Sequence, residues 1–252
     1  MIDFRKVFNS VAPMIAIALA GAVAGCGGNI KINGEEGVPL AELDLEGAAP
    51  TALNLMGPDT VNITEGDALA IEVSGEAAEH IRFVLDDGSL SVLRDESNWD
   101  GGSAVIAVTM PAPASLTLAG SGAINSATLA NKADVVILGS GKVSASSVEV
   151  DTLDVSIAGS GSLSAAGSAR ALDLNIAGSG DVKLAGMKIE TADINVAGSG
   201  NAEFASDGTV EANFMGSGNV TVTGSATCTM NGFGSGTLRC QSGTASSSTE
   251  SN

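Results

Sequence analysis

Tyrosine is absent from the 252 residues, tryptophan and histidine occur once each (Trp99 and His80), and aromatics make up only 3%. A core without bulky anchors has to be assembled from many thin layers of Val, Ile, Leu and Ala. A single imidazole excludes any repeated serine chemistry that depends on a neighbouring base. Basic residues are also scarce, 11 against 29 acidic ones. A surface so negative repels phosphate backbones, which excludes nucleic acid as a partner. Long charged helix formers are few while glycine numbers 33, a balance that favours strands and turns over helices.

No apolar run reaches the ~20 residues of a membrane-crossing helix. The longest, "VAPMIAIALAGAVA", follows Arg5 and Lys6 and leads directly into "VAGC" at residues 23–26. Residues 1–25 are therefore expected to be an export signal and are set aside from the fold. The aliphatic residue, two small residues and cysteine resemble the bacterial lipoprotein cleavage box, which makes Cys26 the expected site of lipidation and the membrane anchor. Ala22-Val23-Ala24 also fits an ordinary cleavage site, and that alternative releases a soluble protein. Without residues 1–25 the chain keeps 9 basic and 28 acidic residues, a net charge of −19. The expected location is the outer membrane or cell surface, with periplasm or secretion as the alternative.

What the sequence does contain is one triplet written seven times: Gly120-Ser121-Gly122, Gly139-Ser140-Gly141, Gly159-Ser160-Gly161, Gly178-Ser179-Gly180, Gly198-Ser199-Gly200, Gly216-Ser217-Gly218 and Gly234-Ser235-Gly236. The serines are 18–20 residues apart. Three residues before each stand Leu118, Ile137, Ile157, Ile176, Val196, Phe214 and Gly232, and five before stand Leu116, Val135, Val155, Leu174, Ile194, Ala212 and Met230. Three after each stand Ile124, Val143, Leu163, Val182, Ala202, Val220 and Leu238. Apolar residues at period two on both sides predict a strand with one buried face, a tight turn at GSG, and a second such strand. Paired as isolated hairpins, these strands would bury one face against nothing. Stacked coil on coil at ~4.8 Å, they share a continuous core. The sequence thus predicts an all-β, parallel β-solenoid of seven coils with GSG at each corner. Phosphate loops open helices and carry a lysine, and no triplet here does either.

The triplets, together with "DTVNITEGDALAIEVSG", "DDGSLSVLRD" and "AVIAVTMPAPASLTLAGSG" before them, resemble the bacterial head GIN domain family, described as auto-transporter adhesins. The resemblance covers roughly residues 45–241. It implies a single-stranded right-handed parallel β-helix, no catalytic residues and a role in adhesion. Neither a heptad stalk nor a membrane barrel accompanies it, so lipid on Cys26 is the expected anchor. Residues 26–44 are expected to be a tether, 45–113 irregular first coils ending at Pro111 and Pro113, 114–241 the regular solenoid, and 242–252 a disordered polar tail.

Outward positions are where binding would have to occur. Six residues before successive serines stand Asp134, Asp154, Asp173, Asp193 and Glu211, and four before stand Asn175, Asn195, Asn213 and Asn231 in the later coils. Stacking turns these into a carboxylate row and an amide row. Two readings follow for the carboxylates: a solvated face that keeps the protein soluble, or a row that collects weakly bound calcium at those five residues with help from the amides. No motif calls for any other cofactor. Cys228 and Cys240 fall on inward positions of the last coil and are expected to form a disulfide that staples its open end, with two buried thiols as the alternative. Arg94, His80 and Trp99 are assigned no role. An exported adhesion or surface-binding module with a glycan or surface protein as partner leads, ahead of an envelope-structural lipoprotein without ligand. A calcium-assisted polysaccharide enzyme comes last, because the outward cations Lys142, Arg170, Lys183, Lys188 and Arg239 are scattered.

Overall fold

The computed structural model describes residues 31–32, 35–86, 88–95 and 102–241. Cys26, Trp99 and the tail lie outside the described residues. The architecture is a parallel β-solenoid. Strands Lys132–Gly139, Thr152–Gly159, Ala171–Gly178, Thr191–Gly198 and Thr209–Gly216 stack in parallel with their triplet glycines in register, Gly139 on Gly159, Gly159 on Gly178, Gly178 on Gly198 and Gly198 on Gly216.

One coil shows why the sequence winds this way. From Lys142 to Gly159 the backbone is extended throughout. Val143 and Ala145 are buried, then Val148 and Val150, then Leu153, Val155 and Ile157. The alternation slips at Ser146-Ser147 and again at Asp151-Thr152, where two successive side chains stay out of the core. A third slip comes at GSG. Three slips per turn give three walls around one aliphatic column, one wall more than the alternation on either side of GSG had revealed. The extra wall is short, and the ladder shifts register there, between Ala145 and Val148, Ser164 and Ala166, and Leu184 and Lys188. The spacing of 18–20 residues is absorbed in this wall, leaving the two long walls in strict register.

The two glycines of a triplet answer to different constraints. Gly159 has φ +123°, and a Cβ on it would stand 2.4 Å from the Gly139 carbonyl oxygen one coil below. That oxygen accepts the Ser160 N–H at 2.8 Å. Gly180 has no such backbone requirement, but its Cβ would stand 2.6 Å from Cγ2 of Ile157. The first glycine sets the chain direction, and the second lets an inward aliphatic side chain reach under the corner.

Chain order and stacking order differ at the amino-terminal end. Ala52–Met56 and Thr60–Glu65 lie directly beneath Ser115–Gly120 and Ala123–Ser126, so Gly57-Pro58-Asp59 forms an eighth corner under the GSG column. Beneath that coil come Ser89–Arg94 and Ala104–Met110, both parallel to it. The outermost layer is Ala70–Gly75 and Ile81–Asp86, which run antiparallel to the layer above. After its first coil the chain drops to the far end, turns back through a hairpin at Gly88, and inserts a parallel coil between the two already laid. Segment 45–113 is therefore an inverted cap rather than a run of wider coils in chain order. Residues read as tether take part from Gly37 onward: Val38 bridges Phe83 with bonds of 2.9 and 2.8 Å, and Leu40 and Leu43 pack on the core.

Candidate binding face

The wall that precedes each corner presents three outward rows. Asp134, Asp154, Asp173, Asp193 and Glu211 are successive ladder partners, so the carboxylate row exists as a physical column at the strand spacing. Partial burial between neighbours raises the Asp134 and Asp154 carboxyls above their ordinary range, and the Asp154 charge adds to the effect on Asp134. Burial also raises Asp173, opposed by a hydrogen bond from Asn175 and reinforced by the charges of Asp193 and Asp154. Like charges at ~4.8 Å repel by about 1 kcal/mol per pair even in water, which adds to the effect of burial at Asp134 and Asp173.

The amide row moderates this repulsion. Asn195 donates to the Asn175 carbonyl oxygen and Asn213 to that of Asn195, each at 3.2 Å. Sideways, Asn175 donates to Asp173 at 2.7 Å, Asn195 to Asp193 at 3.2 Å, and Asn231 to Glu211 at 3.2 Å. Asn175 and Asn195 are thus shared between their own row and a carboxylate, whereas Asn213 bonds within the row and Asn231 to a carboxylate of the coil below. The carboxylates form a line, not a cage: among the described residues no three His, Cys, Asp or Glu side chains converge as a metal site.

Two further rows escaped the sequence reading. Immediately after the corner, Asn201 donates to Asp181 at 2.9 Å, Asn219 to Asn201 at 3.1 Å, and Thr237 to Asn219 at 2.6 Å. The signal for it was the residue two after each serine. Beside the triplets, the residue two before each serine faces outward and is always apolar, from Ala158 and Ala177 to Met215 at 65% exposure and its ladder partner Phe233 at 75%. These residues had been absorbed into the corner motif itself.

Elsewhere the charges pair locally. Arg170 meets Asp151 at 2.6 Å, and Lys188 meets Asp207 at 2.9 Å. Backbone and hydroxyl hydrogen bonds from Ser225, with Lys188, hold the Asp207 carboxyl down at about 2. Arg170 and Asn131 lower Asp151. Arg94, assigned no role from sequence, forms a buried bidentate ion pair with Asp59 of the eighth corner. Asp59 also accepts the Ala104 N–H at 2.7 Å, and Arg94 donates to the Gly102 carbonyl at 3.2 Å. The pair locks the inserted coil to the one above it. His80 sits in a short 3-10 turn, Ala78–His80, beside Glu79. All seven triplet serines are exposed at the corner. Cys228 and Cys240 are bonded in the last coil, with Cα atoms 6.6 Å apart.

Residues 49–226 match the family described as "Putative auto-transporter adhesin, head GIN domain". No curated protein matches the chain. Among solved structures, a "putative adhesin" of Bacteroides fragilis NCTC 9343 superposes with a TM-score of 0.65 at 18% identity, over 76% of this chain and 92% of that one. A "putative lipid binding protein" of Parabacteroides distasonis ATCC 8503 gives 0.60 at 18%, over 78% and 95%. A "putative adhesin" of Parabacteroides merdae ATCC 43184 gives 0.60 at 19%, over 77% and 92%. At such identities the likeness is one of fold.

Proposed function

The chain belongs to the head GIN domain family, and we infer that it works as a non-catalytic, exported surface-binding module of the cell envelope, held at a membrane by lipid on Cys26. The single observation that carries this reading is the wall before the corners, where polar side chains repeat in register up the stack. The regular coils from Ser115 to Thr229 make this wall roughly 30 Å tall at the strand spacing. Such a wall offers many weak, identical hydrogen-bonding positions at one repeat distance, suited to an extended glycan or a strand-like surface protein, and its rigidity limits the entropy lost on binding. Catalysis is a poorer fit, since the one imidazole, His80, belongs to the amino-terminal cap and two of the scattered cations are held in ion pairs.

A glycan and matrix-protein array with the purified protein tests the reading. Wild type should bind at least one class of ligand, and the Asn175→Ala, Asn195→Ala, Asn213→Ala triple variant should lose that signal while keeping its strand spectrum. An array blank for wild type would leave the envelope-structural role in its place. Repeating the array in chelator tests the carboxylate row: loss of signal assigns it a calcium ion, and an unchanged signal removes calcium. Anchoring is read separately, by fatty-acid labelling that Cys26→Ser abolishes and by protease access on intact cells.

A further inference from the structure

We propose that the carboxy-terminal end of the stack is a self-docking face, on which strand Thr227–Gly234 pairs antiparallel with the same strand of a second copy to give an end-to-end twofold dimer.

The two ends of the solenoid are built differently. At the amino-terminal end, antiparallel strands, the Val38 bridge and the side chains of Leu40 and Leu43 close over the core. At the other end, among the described residues, Thr227–Gly234 and Thr237–Gln241 each pair on one side only, with the coil below. Their outer backbone N–H and C=O groups form an open template for another strand. Inward side chains are uncovered as well: Met230 is 46% exposed, whereas its ladder partner Ala212 is fully buried. A lipid surface cannot satisfy the open strand edge, whose unpaired groups each cost several kcal/mol in hydrocarbon.

The charge pattern points to a second copy. No acidic residue occurs from 212 to 241, and Arg239 is the one basic residue there, in a chain of net charge −18. The carboxylate row ends at Glu211, and its next position is Thr229. With two copies joined end to end, the nearest carboxylates of the rows are separated along the stack by three strand spacings, roughly 14 Å before any offset along the strands. That exceeds the ~8 Å over which exposed charges interact at physiological salt. The last coil thus removes the repulsion that would keep two such acidic molecules apart.

Shape is self-complementary too. Directly opposed residues in an antiparallel pair share a face, so the twofold axis has to pass through a residue. Centred on Asn231, the pairing sets Met230 against the counterpart of Gly232. Gly232 stands where the six lower coils carry Leu118, Ile137, Ile157, Ile176, Val196 and Phe214. Each Met230 then enters the gap left by the other copy's glycine, and Asn231 meets its own counterpart, continuing the amide row across the junction.

Sedimentation velocity of the purified chain over a wide concentration range tests this. Wild type should sediment as an elongated dimer, and Met230→Lys, which sets a cation into the junction of each copy, should weaken association by roughly tenfold or more. A second variant does not depend on weakening anything. Asn231→Cys places two thiols on the axis: the backbone groups of residue 231 face the coil below, so the pair is a non-hydrogen-bonded one with a Cα separation of about 4.5 Å, within disulfide range. It should oxidise to a covalent dimer, whereas Asn195→Cys in the middle of the same row should not. Unchanged strand spectra and thermal midpoints establish that the variants are folded. A wild type that stays monomeric at every concentration, a dimer indifferent to Met230→Lys, or equal cross-linking by Asn195→Cys would each overturn the proposal. None of these outcomes bears on the ligand sought with the array.

Discussion

A methyl group added at one corner separates the two constraints that a triplet glycine satisfies. Gly88 lies in the cap hairpin with φ +77°, and a Cβ there meets nothing within 4 Å. Gly88→Ala therefore measures the backbone term alone, about 1–2 kcal/mol. Gly159 has φ +123°, and its Cβ would come to 2.4 Å from Gly139 O and 3.1 Å from Gly139 C. The conformational cost is about 1–3 kcal/mol. The clash comes on top, and what it meets is backbone held by the ladder, not a side chain that can swing aside. Relieving it means parting two coils by about 1 Å, beyond good hydrogen-bond geometry for the Ser160 N–H and its neighbours, each worth about 1 kcal/mol. Gly159→Ala should thus cost about 4 kcal/mol, a large share of the 5–15 kcal/mol typical of a domain, and lower the midpoint by roughly 8–16 °C. Ser160→Ala, on an exposed side chain, should stay within about 0.5 kcal/mol. Guanidinium unfolding followed by far-ultraviolet circular dichroism reads all three. If Gly159→Ala cost no more than Gly88→Ala, or Ser160→Ala cost as much as either, the stacked-corner explanation of the GSG series would be wrong.

Arg94→Met leaves the Asp59 carboxylate buried and unpaired and should cost about 3–5 kcal/mol, most of it recovered by adding Asp59→Leu; both are measured by the same unfolding curves. The raised Asp173 carboxyl binds its proton more tightly when folded, so its charge opposes folding at neutral pH and this penalty disappears as pH falls through the raised value toward 3.8. Asp173→Asn should therefore raise the thermal midpoint at pH 7, less so in high salt, and leave it unchanged at pH 3. Asp207 has the opposite sign: its carboxyl is held at about 2, so Asp207→Asn should lower the midpoint at pH 7 and lose that effect as pH falls from 3.8 to about 2. Reducing the Cys228–Cys240 bond, which closes a short loop, should remove about 3 kcal/mol. Hydrogen exchange should localise that loss to residues 227–241 and spare the coils below.

How much of this was visible beforehand depends on whether a feature repeats. Inward columns such as Ile137, Ile157 and Ile176, and outward rows such as Asp154, Asp173 and Asp193, recur at one offset from each serine, and stacking converts equal offset into physical adjacency. The third wall has no fixed offset, because it absorbs the variable length and its two slips, Ser146-Ser147 and Asp151-Thr152, look like ordinary polar pairs. Gly57-Pro58-Asp59 belongs to the corner column by position and departs from it by composition: Pro58 and Asp59 stand where every later coil has serine and glycine. The second replacement has a physical cause. Asp59 is the acceptor for Arg94, 35 residues on, in a coil that reaches its place only after the chain has passed beneath it and turned back. Local pattern cannot report that order: strand 104–110 alternates as any coil does, and strand 89–94 departs from alternation at Leu93 and Arg94 without indicating a partner. What marks them as inserted is an ion pair between residues that local pattern gives no reason to connect. A buried charge pair tolerates only one arrangement of its two coils, whereas aliphatic layers accept any neighbour of similar size. In a fold whose repeats are otherwise interchangeable, Arg94 and Asp59 supply a constraint on stacking order that Val, Ile and Leu cannot.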